Sequence, residues 1–207
     1  AVELANVDFG YEDGRAVLKG FSLEVEPGEM VTLAGRTGAG KSTIFKLILG
    51  DYEPWAGTVR VWGVDAAQLA PQARRRFVGQ VDQAFKAVPG TVAVQFTLGD
   101  PGISREEMTQ AAQLAGIGAA LEALPQGYDT PYAEGLLSQG QTHLLSIARA
   151  VAANPKLLLL DEITANLDSG TEQQVMEALR RASQSRAVLS ISHRLYEQSG
   201  QGRIVQI

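Results

Sequence analysis

The 207-residue sequence contains no cysteine, only two histidines and no long hydrophobic run, and each of these absences excludes a class of protein or site. Without cysteine there are no disulfide bonds and no thiolate metal ligands, and two histidines alone cannot form a zinc site. No run approaches the roughly 18 apolar residues that a membrane-spanning helix needs. The net charge of −5 argues against a surface that coats nucleic acid, so we expect no nucleic-acid partner.

The remaining composition is that of an ordinary globular domain. Hydrophobic residues make up 45% of the chain and charged residues 20%, which is not the balance of a disordered protein. The length suits one large domain, or a core with a second lobe inserted in it. Because the sequence begins at Ala1 rather than at a methionine, we expect it to be a segment of a longer protein.

Local patterns predict an α/β fold with three parts. Apolar and polar residues alternate over 2–9 and 18–25, which indicates half-buried antiparallel strands. Short apolar runs at 30–34, 157–160 and 187–191 indicate buried strands of a mainly parallel sheet. The intervening stretch is rich in helical signals. We therefore predict a single domain over 1–207, in which residues 1–84 and 151–207 form the core with its antiparallel layer, and residues 85–150 form an inserted helical subdomain.

A glycine-rich loop lies between the buried strand at 30–34 and a predicted helix. Residues 35–42 fit the phosphate-loop pattern G-x-x-x-x-G-K-[ST]. Glycines allow successive backbone N–H groups to surround phosphate oxygens, and the helix adds the positive end of its dipole. In this pattern Lys41 reaches the β- and γ-phosphates and the Ser42 hydroxyl binds Mg²⁺. The predicted nucleotide-binding residues of this segment are Gly35, Arg36, Thr37, Gly38, Ala39, Gly40, Lys41, Ser42 and Thr43.

Two acidic residues follow the run of four leucines at 157–160. A buried strand that ends in acids brings carboxylates to the carboxyl edge of the sheet, where ligands bind in open α/β folds. We predict that Asp161 binds Mg²⁺, directly or through water, and that Glu162 orients and polarises the attacking water. Together with the glycine loop, these residues indicate an α/β phosphate-loop ATPase.

A third motif identifies a family. Residues 137–141 read Leu-Ser-Gln-Gly-Gln, which closely resembles the L-S-G-G-Q signature of the ATP-binding cassettes. Further segments resemble the marks of that family in the same order along the chain. They are an aromatic loop at Tyr11, a Q-loop at Gln83, a D-loop at 165–168 and a switch histidine at His193.

The resemblance implies roles for these residues. Tyr11 would stack on adenine, Gln83 would touch both Mg²⁺ and the attacking water, and His193, the switch histidine, would be a catalytic residue. In this family the signature binds the γ-phosphate held by a second cassette, so each site spans two chains. Ser138, Gly140 and Gln141 would then complete the site of a partner cassette, in a homodimer or a heterodimer. Gln139 replaces the usual second glycine, and we expect function to survive this departure.

The segment before the signature, residues 127–135, resembles the corresponding stretch of exporter cassettes. There Glu134 would lie in the loop that senses the membrane domain of the partner half. We therefore expect an exporter ATPase domain at the cytoplasmic face of the membrane, with a transmembrane domain fused before Ala1. Two alternatives stay open, a soluble cassette ATPase acting on chromosomes, DNA repair or ribosomes, and a regulatory cassette that binds ATP without hydrolysis.

Three local expectations remain. The stretch after His193 is shorter than the family pattern, which predicts a shortened hairpin or a rearranged edge strand near the C-terminus. The basic run 74–76 is expected to be a solvated face rather than a contact surface. Capping boxes are predicted at Ser104 with Glu107, and at Ser169 with Glu172.

Overall fold

The structure, a computed structural model, describes residues 1–12, 14–161, 167–191 and 202–207. The strands are β1 Val2–Gly10, β2 Ala16–Val25, β3 Met30–Ala34, β4 Ala56–Val61, β5 Val64–Asp65, β6 Val78–Val81, β7 Leu157–Leu160, β8 Ala187–Ser190 and β9 Arg203–Gln206. The α-helices are α1 Lys41–Ile48, α2 Pro71–Arg74, α3 Val92–Thr97, α4 Arg105–Ala115, α5 Gly118–Glu122, α6 Gln139–Val151 and α7 Ser169–Ser183. Short 3-10 turns occur at Ala66–Gln68 and Gly127–Asp129.

A five-stranded sheet with the order β6-β7-β8-β3-β9 forms the centre of the molecule, and its described pairings are all parallel. The four leucines of β7 show how it is covered. Leu158 and Leu160 belong to the hydrophobic core shared with α4, α6 and α7, whereas Leu157 and Leu159 belong to the core on the opposite face. Because successive side chains of a strand point to opposite faces, an unbroken apolar run is what a strand covered on both sides requires.

The second core is closed by a four-stranded antiparallel sheet with the order β2-β1-β4-β5. Its apolar positions alternate as the sequence predicts, with Val2 and Leu4 buried and Glu3 exposed between them. Helix α1 lies between this sheet and the parallel one, and its Ile44, Leu47 and Ile48 are fully buried. The α/β fold class with a parallel and an antiparallel sheet is therefore confirmed.

The helices α3 to α6 fall largely within the predicted helical interval. Ser104 forms the predicted capping box, in which its hydroxyl oxygen accepts from the Glu107 N–H and the Glu107 carboxylate accepts from the Ser104 N–H. The division of the chain into a core and an inserted subdomain stays a prediction. No helix in the described part of the chain combines the length and apolar character needed to cross a bilayer.

The structure corrects the predicted cap of α7. Helix α7 has no capping box at Ser169, because Asp168 is the N-cap and its carboxylate accepts from the Gly170 and Thr171 N–H groups at 3.1 and 3.0 Å. Of the two alternatives predicted near the C-terminus, the structure shows an edge strand: β9 lies at the edge of the five-stranded sheet and pairs in parallel with β3.

The basic run 74–76 is not a solvated face. Arg75 donates hydrogen bonds to the carbonyl oxygens of Phe96 and Thr97 at the end of α3, and of Arg149 in α6. Arg76 donates to Glu107 of α4 at 2.8 Å. Both side chains are half-buried and join the β6 edge of the sheet to the helical part of the chain.

Candidate functional site

The glycine loop connects the end of β3 to the first residue of α1. Gly38 and Gly40 have φ angles of +84° and +100°, in the left-handed region that strains any residue with a side chain. At Gly40 a Cβ would also lie 3.0 Å from the Leu18 side chain. The glycines therefore let the loop fold tightly against the antiparallel sheet, and α1 begins immediately afterwards at Lys41. The N–H groups in the first turn of a helix have no intrahelical acceptors and can bind an anion.

The side chain of Lys41 folds back over this loop. Its Nζ atom donates hydrogen bonds to the carbonyl oxygens of Gly35 at 2.6 Å and Arg36 at 3.0 Å. The ammonium group is thus held at the mouth of the loop, beside the start of α1. A cation at this position adds to the positive dipole of the helix, so the local field favours a polyanion.

A cavity of about 370 Å³ opens next to the loop, within the size range of small-molecule sites of roughly 300–1,000 Å³. It collects predicted site residues from four separate parts of the chain. Its walls contain Tyr11, Thr37, Gly38, Gly40, Lys41, Ser42, Thr43, Gln83 and Asp161, together with Val17 and Ile191, which the sequence did not predict. The other predicted loop residues, Gly35, Arg36 and Ala39, lie on the same loop outside this wall. What each residue does there stays a prediction.

Three oxygen-bearing side chains in this cavity form a donor set for a hard cation. Ser42 stands in the first turn of α1, Gln83 follows β6, and Asp161 follows β7. The Asp161 N–H donates to the Val81 carbonyl at 3.0 Å, which holds the ends of β6 and β7 together. The described residues contain no group of three or more acidic, histidine or cysteine side chains that could hold a metal. Such a site suits Mg²⁺, which commonly uses one or two carboxylates together with substrate phosphates.

Tyr11 forms the aromatic part of the cavity wall. Its hydroxyl group is hydrogen-bonded to the Thr43 hydroxyl at 3.0 Å, which fixes the ring beside the loop. Phe9 and Tyr52 meet the ring edge-on at centroid distances of 5.3 and 5.5 Å. The Lys46 ammonium lies 5.4 Å from the ring centroid, within the usual range of a cation–π contact. This packing gives the cavity a rigid aromatic side on which a base can stack.

The signature residues stand elsewhere, in the first turn of α6. This helix begins at Gln139. The Ser138 hydroxyl oxygen accepts from the Gln141 N–H at 3.2 Å, and the Gln141 side-chain oxygen accepts from the Ser138 N–H at 2.9 Å. Ser138, Gly140 and Gln141 do not line the 370 Å³ cavity. The Ser138 hydroxyl retains its own proton to donate, so this helix end can receive an anion from outside the chain.

A second cavity, of about 700 Å³, lies between the loop after β6 and the segment before α6. Gln83 is common to both cavities, and Glu134 lies on the far wall of the second one. His143 also lines it, and burial lowers the pKa of His143 below its ordinary value, which favours the neutral imidazole. The structure therefore brings Gln83 and Glu134 to one surface, which their separation in sequence does not reveal.

Some predicted residues lie outside the described part of the chain. They are Glu162, His193 and the start of the predicted D-loop, Ala165 and Asn166. Their roles rest on the sequence alone.

Comparison with known proteins places this geometry in context. A family model described as ABC transporter matches residues 18–165. The chain is 40% identical over 197 residues to an ATM1-type heavy metal exporter of Novosphingobium aromaticivorans, covering 94% of this chain and 32% of that protein. It is 42% identical over 197 residues to the mycobactin import ATP-binding/permease protein IrtA of Mycolicibacterium smegmatis, covering 95% of this chain and 23% of that protein.

A solved structure is similar to this chain in its three-dimensional fold. A bacterial Atm1-family ABC exporter with ATP bound matches 100% of this chain and 36% of that chain, with a TM-score of 0.83 and 38% identity. The 207 residues thus span about a third of the length of the heavy metal exporter and of the solved exporter chain.

Proposed function

The chain belongs to the ABC transporter family, and from this premise we propose that it binds Mg-ATP and hydrolyses it to ADP and phosphate as one half of a two-cassette dimer. One observation carries the proposal. The Lys41 loop, the Tyr11 ring and the oxygen donors Ser42, Gln83 and Asp161 line one cavity, although they come from distant parts of the sequence. Together they offer a partner to each part of a magnesium nucleotide, namely base, phosphates and metal.

Each residue would act through its own chemistry. The base stacks on Tyr11, and the phosphates lie along the glycine loop, where the Lys41 ammonium neutralises the β- and γ-phosphates. Ser42 and Asp161 hold Mg²⁺, which draws charge from the phosphate oxygens when it is bound. Gln83 orients the attacking water and contacts the metal. Glu162 polarises that water, and His193 acts at the γ-phosphate.

A second cassette would complete the site. Ser138, Gly140 and Gln141 lie away from the cavity of their own chain, at the start of a helix whose dipole favours an anion. We propose that they bind the γ-phosphate held by a second cassette, identical or related in sequence. ATP at the shared interface then joins two cassettes, and hydrolysis releases them.

The larger cavity supports the proposal that the chain has a transmembrane partner. Its wall is formed by small, apolar and aromatic side chains such as Ala84, Phe85 and Val88, with Glu134 exposed at its rim. Because Gln83 is shared with the nucleotide cavity, a segment seated here would contact the loop that positions the attacking water. We propose that a membrane domain, encoded before Ala1, docks at this surface and that the chain lies at the cytoplasmic face of a membrane.

We further propose that the chain is the ATPase domain of an exporter. The resemblance of residues 127–135 to exporter cassettes supports it, as does the similarity to a protein named as a heavy metal exporter. The similar protein IrtA is named as an importer of mycobactin, so the cassette architecture occurs with both directions of transport. The transported substrate depends on membrane helices, which this chain does not contain within its described residues.

Replacement of Lys41 by alanine tests the site. We expect Lys41→Ala to lose productive nucleotide binding and Mg-ATP turnover, because the ammonium group at the loop is removed. The matched control is Lys19→Ala, which removes an exposed lysine of β2 and keeps wild-type turnover. Equal nucleotide affinity and turnover in Lys41→Ala and wild type would overturn the assignment of the cavity.

A further inference from the structure

We propose that Gly140 is glycine because the first turn of α7 packs directly against it, and that Thr171 is a positioning residue for the signature turn. The proposal rests on the proposed function in one respect, since it takes residues 138–141 to be the surface that binds the partner's nucleotide. It assigns to Gly140 a role inside its own chain, in addition to any contact with phosphate.

The contact is close. A Cβ atom built on Gly140 would lie 2.7 Å from the Cγ2 methyl of Thr171, a distance that real Cβ atoms essentially never show. The φ angle of Gly140 is not in the left-handed region, so backbone strain does not explain the glycine. The glycine is instead explained by the lack of room for a side chain, which would push the start of α6 away from the start of α7.

The Thr171 methyl has little freedom to move away. The Thr171 hydroxyl is hydrogen-bonded to the Asp168 carboxylate, and the Thr171 N–H donates to the same carboxylate at 3.0 Å. These bonds lower the pKa of Asp168, with the bond from the Thr171 side chain as the largest cause. Turning the methyl away would rotate the hydroxyl out of this cap, and a β-branched side chain in a helix has few alternative rotamers.

The contact joins two functional segments. On one side is the turn that carries Ser138 and Gln141, and on the other is the N-cap of α7, seven residues after Asp161. Farther along, the two helices share one hydrophobic core that includes Leu144 and Val175. The Gly140–Thr171 contact thus fixes the distance between the signature turn and the start of α7.

Substitutions at the two positions separate packing from phosphate binding. We expect Gly140→Ala to lower Mg-ATP turnover at a fixed protein concentration by about tenfold or more, as overpacking of a tight contact predicts. Adding Thr171→Ser removes the obstructing methyl, keeps the hydroxyl on Asp168, and should restore most of the turnover. Adding Thr171→Val instead keeps the methyl and should restore nothing. Nucleotide affinity of the isolated chain should stay unchanged, since the 370 Å³ cavity is untouched.

Thermal unfolding gives a readout that is independent of turnover. Gly140→Ala should lower Tm by about 2–4 °C or more, and Thr171→Ser in the same chain should recover it. If the serine double variant recovers neither Tm nor turnover, while Thr171→Ser alone behaves as wild type, the packing proposal is overturned. If wild type shows no turnover at any concentration, the proposed function fails, and recovery of Tm still supports the contact.

Discussion

The guanidinium group of Arg149 binds both oxygen atoms of Gln95, with Nε 2.6 Å from the backbone carbonyl and Nη2 2.9 Å from the side-chain oxygen. A third bond reaches the Lys86 carbonyl at 2.7 Å, and the group lies 4.0 Å from the centroid of the Phe85 ring. Gln95 is fully buried and in turn binds the backbone of Val88. Helix α6 is thereby tied to the loop that follows β6 and contains Gln83.

We expect Arg149→Met to destabilise the chain by about 2–3 kcal/mol, since it leaves buried acceptors without a charged donor. Burial lowers the pKa of Arg149 to about 10, so the group is still protonated at neutral pH and the loss is that of a cation. Arg149→Lys should recover only part of the loss, because an ammonium group cannot span these acceptors as a planar guanidinium does.

The measurement is urea unfolding, with Arg60→Met as the control that removes an exposed arginine from β4. The control should stay within about 0.5 kcal/mol of wild type. A similarly small change for Arg149→Met would contradict this interpretation of the network.

The interaction of Glu107 with Arg76 predicts that the stability of the fold depends on pH. Hydrogen bonds from Arg76 and Ser104 lower the pKa of Glu107 from its usual 4.5 to about 2. Between these values the unfolded chain binds more protons than the folded one, so stability rises with pH. The stabilisation is complete above pH 4.5 and is lost as pH falls through about 2.

We therefore expect Glu107→Gln to lose about 1 kcal/mol or less at neutral pH, since the ion pair is partly exposed. The glutamine preserves the capping box, so only the charge is removed. The difference from wild type should shrink as the pH is lowered below 4.5 in equilibrium unfolding measurements. Glu106→Gln is the control, because it removes a carboxylate from the same first turn without touching Arg76. A difference that stays constant down to pH 2 would refute the assignment.

The proposed role of Glu162 predicts a separation of binding from hydrolysis. Glu162→Gln should bind ATP normally and hydrolyse it about 10²–10⁴-fold more slowly, because the amide cannot accept the proton of the attacking water. The variant should accumulate as an ATP-bound dimer in size-exclusion chromatography. Glu122→Gln, an exposed acid of α5, serves as the control. If Glu162→Gln hydrolyses ATP at the wild-type rate, another residue must activate the attacking water, and His193 is the first candidate.

The sequence predicts features of this molecule that depend on local pattern. The strand at 157–160, the capping box at Ser104 and the loop before Lys41 follow from burial periodicity, hydrogen-bonding side chains and glycine, each of which acts over a few residues. The signature predicts a site shared between chains, and this stays a prediction; Ser138 lies outside the 370 Å³ cavity of its own chain.

Features that depend on distant partners were missed or wrongly predicted. Arg75 binds carbonyl oxygens 21 and 22 residues away, and Arg149 binds partners 54 and 63 residues away, so no local pattern reveals them. A basic run suggests a solvated face until the acceptors are known. The cap of α7 was misassigned for another reason, since Asp168 and Ser169 are both good N-caps and only the backbone geometry decides between them.

The central claim is that one complete catalytic site requires two copies of the cassette, and the dependence of activity on protein concentration tests it most directly. Specific Mg-ATPase activity should rise with concentration and then saturate, because the dimer forms by mass action. The measurement covers about a hundredfold dilution series in Mg-ATP, with the oligomeric state followed by light scattering. Constant specific activity from a confirmed monomer would mean that one chain contains the whole site, and the interpretation of residues 138–141 would be wrong.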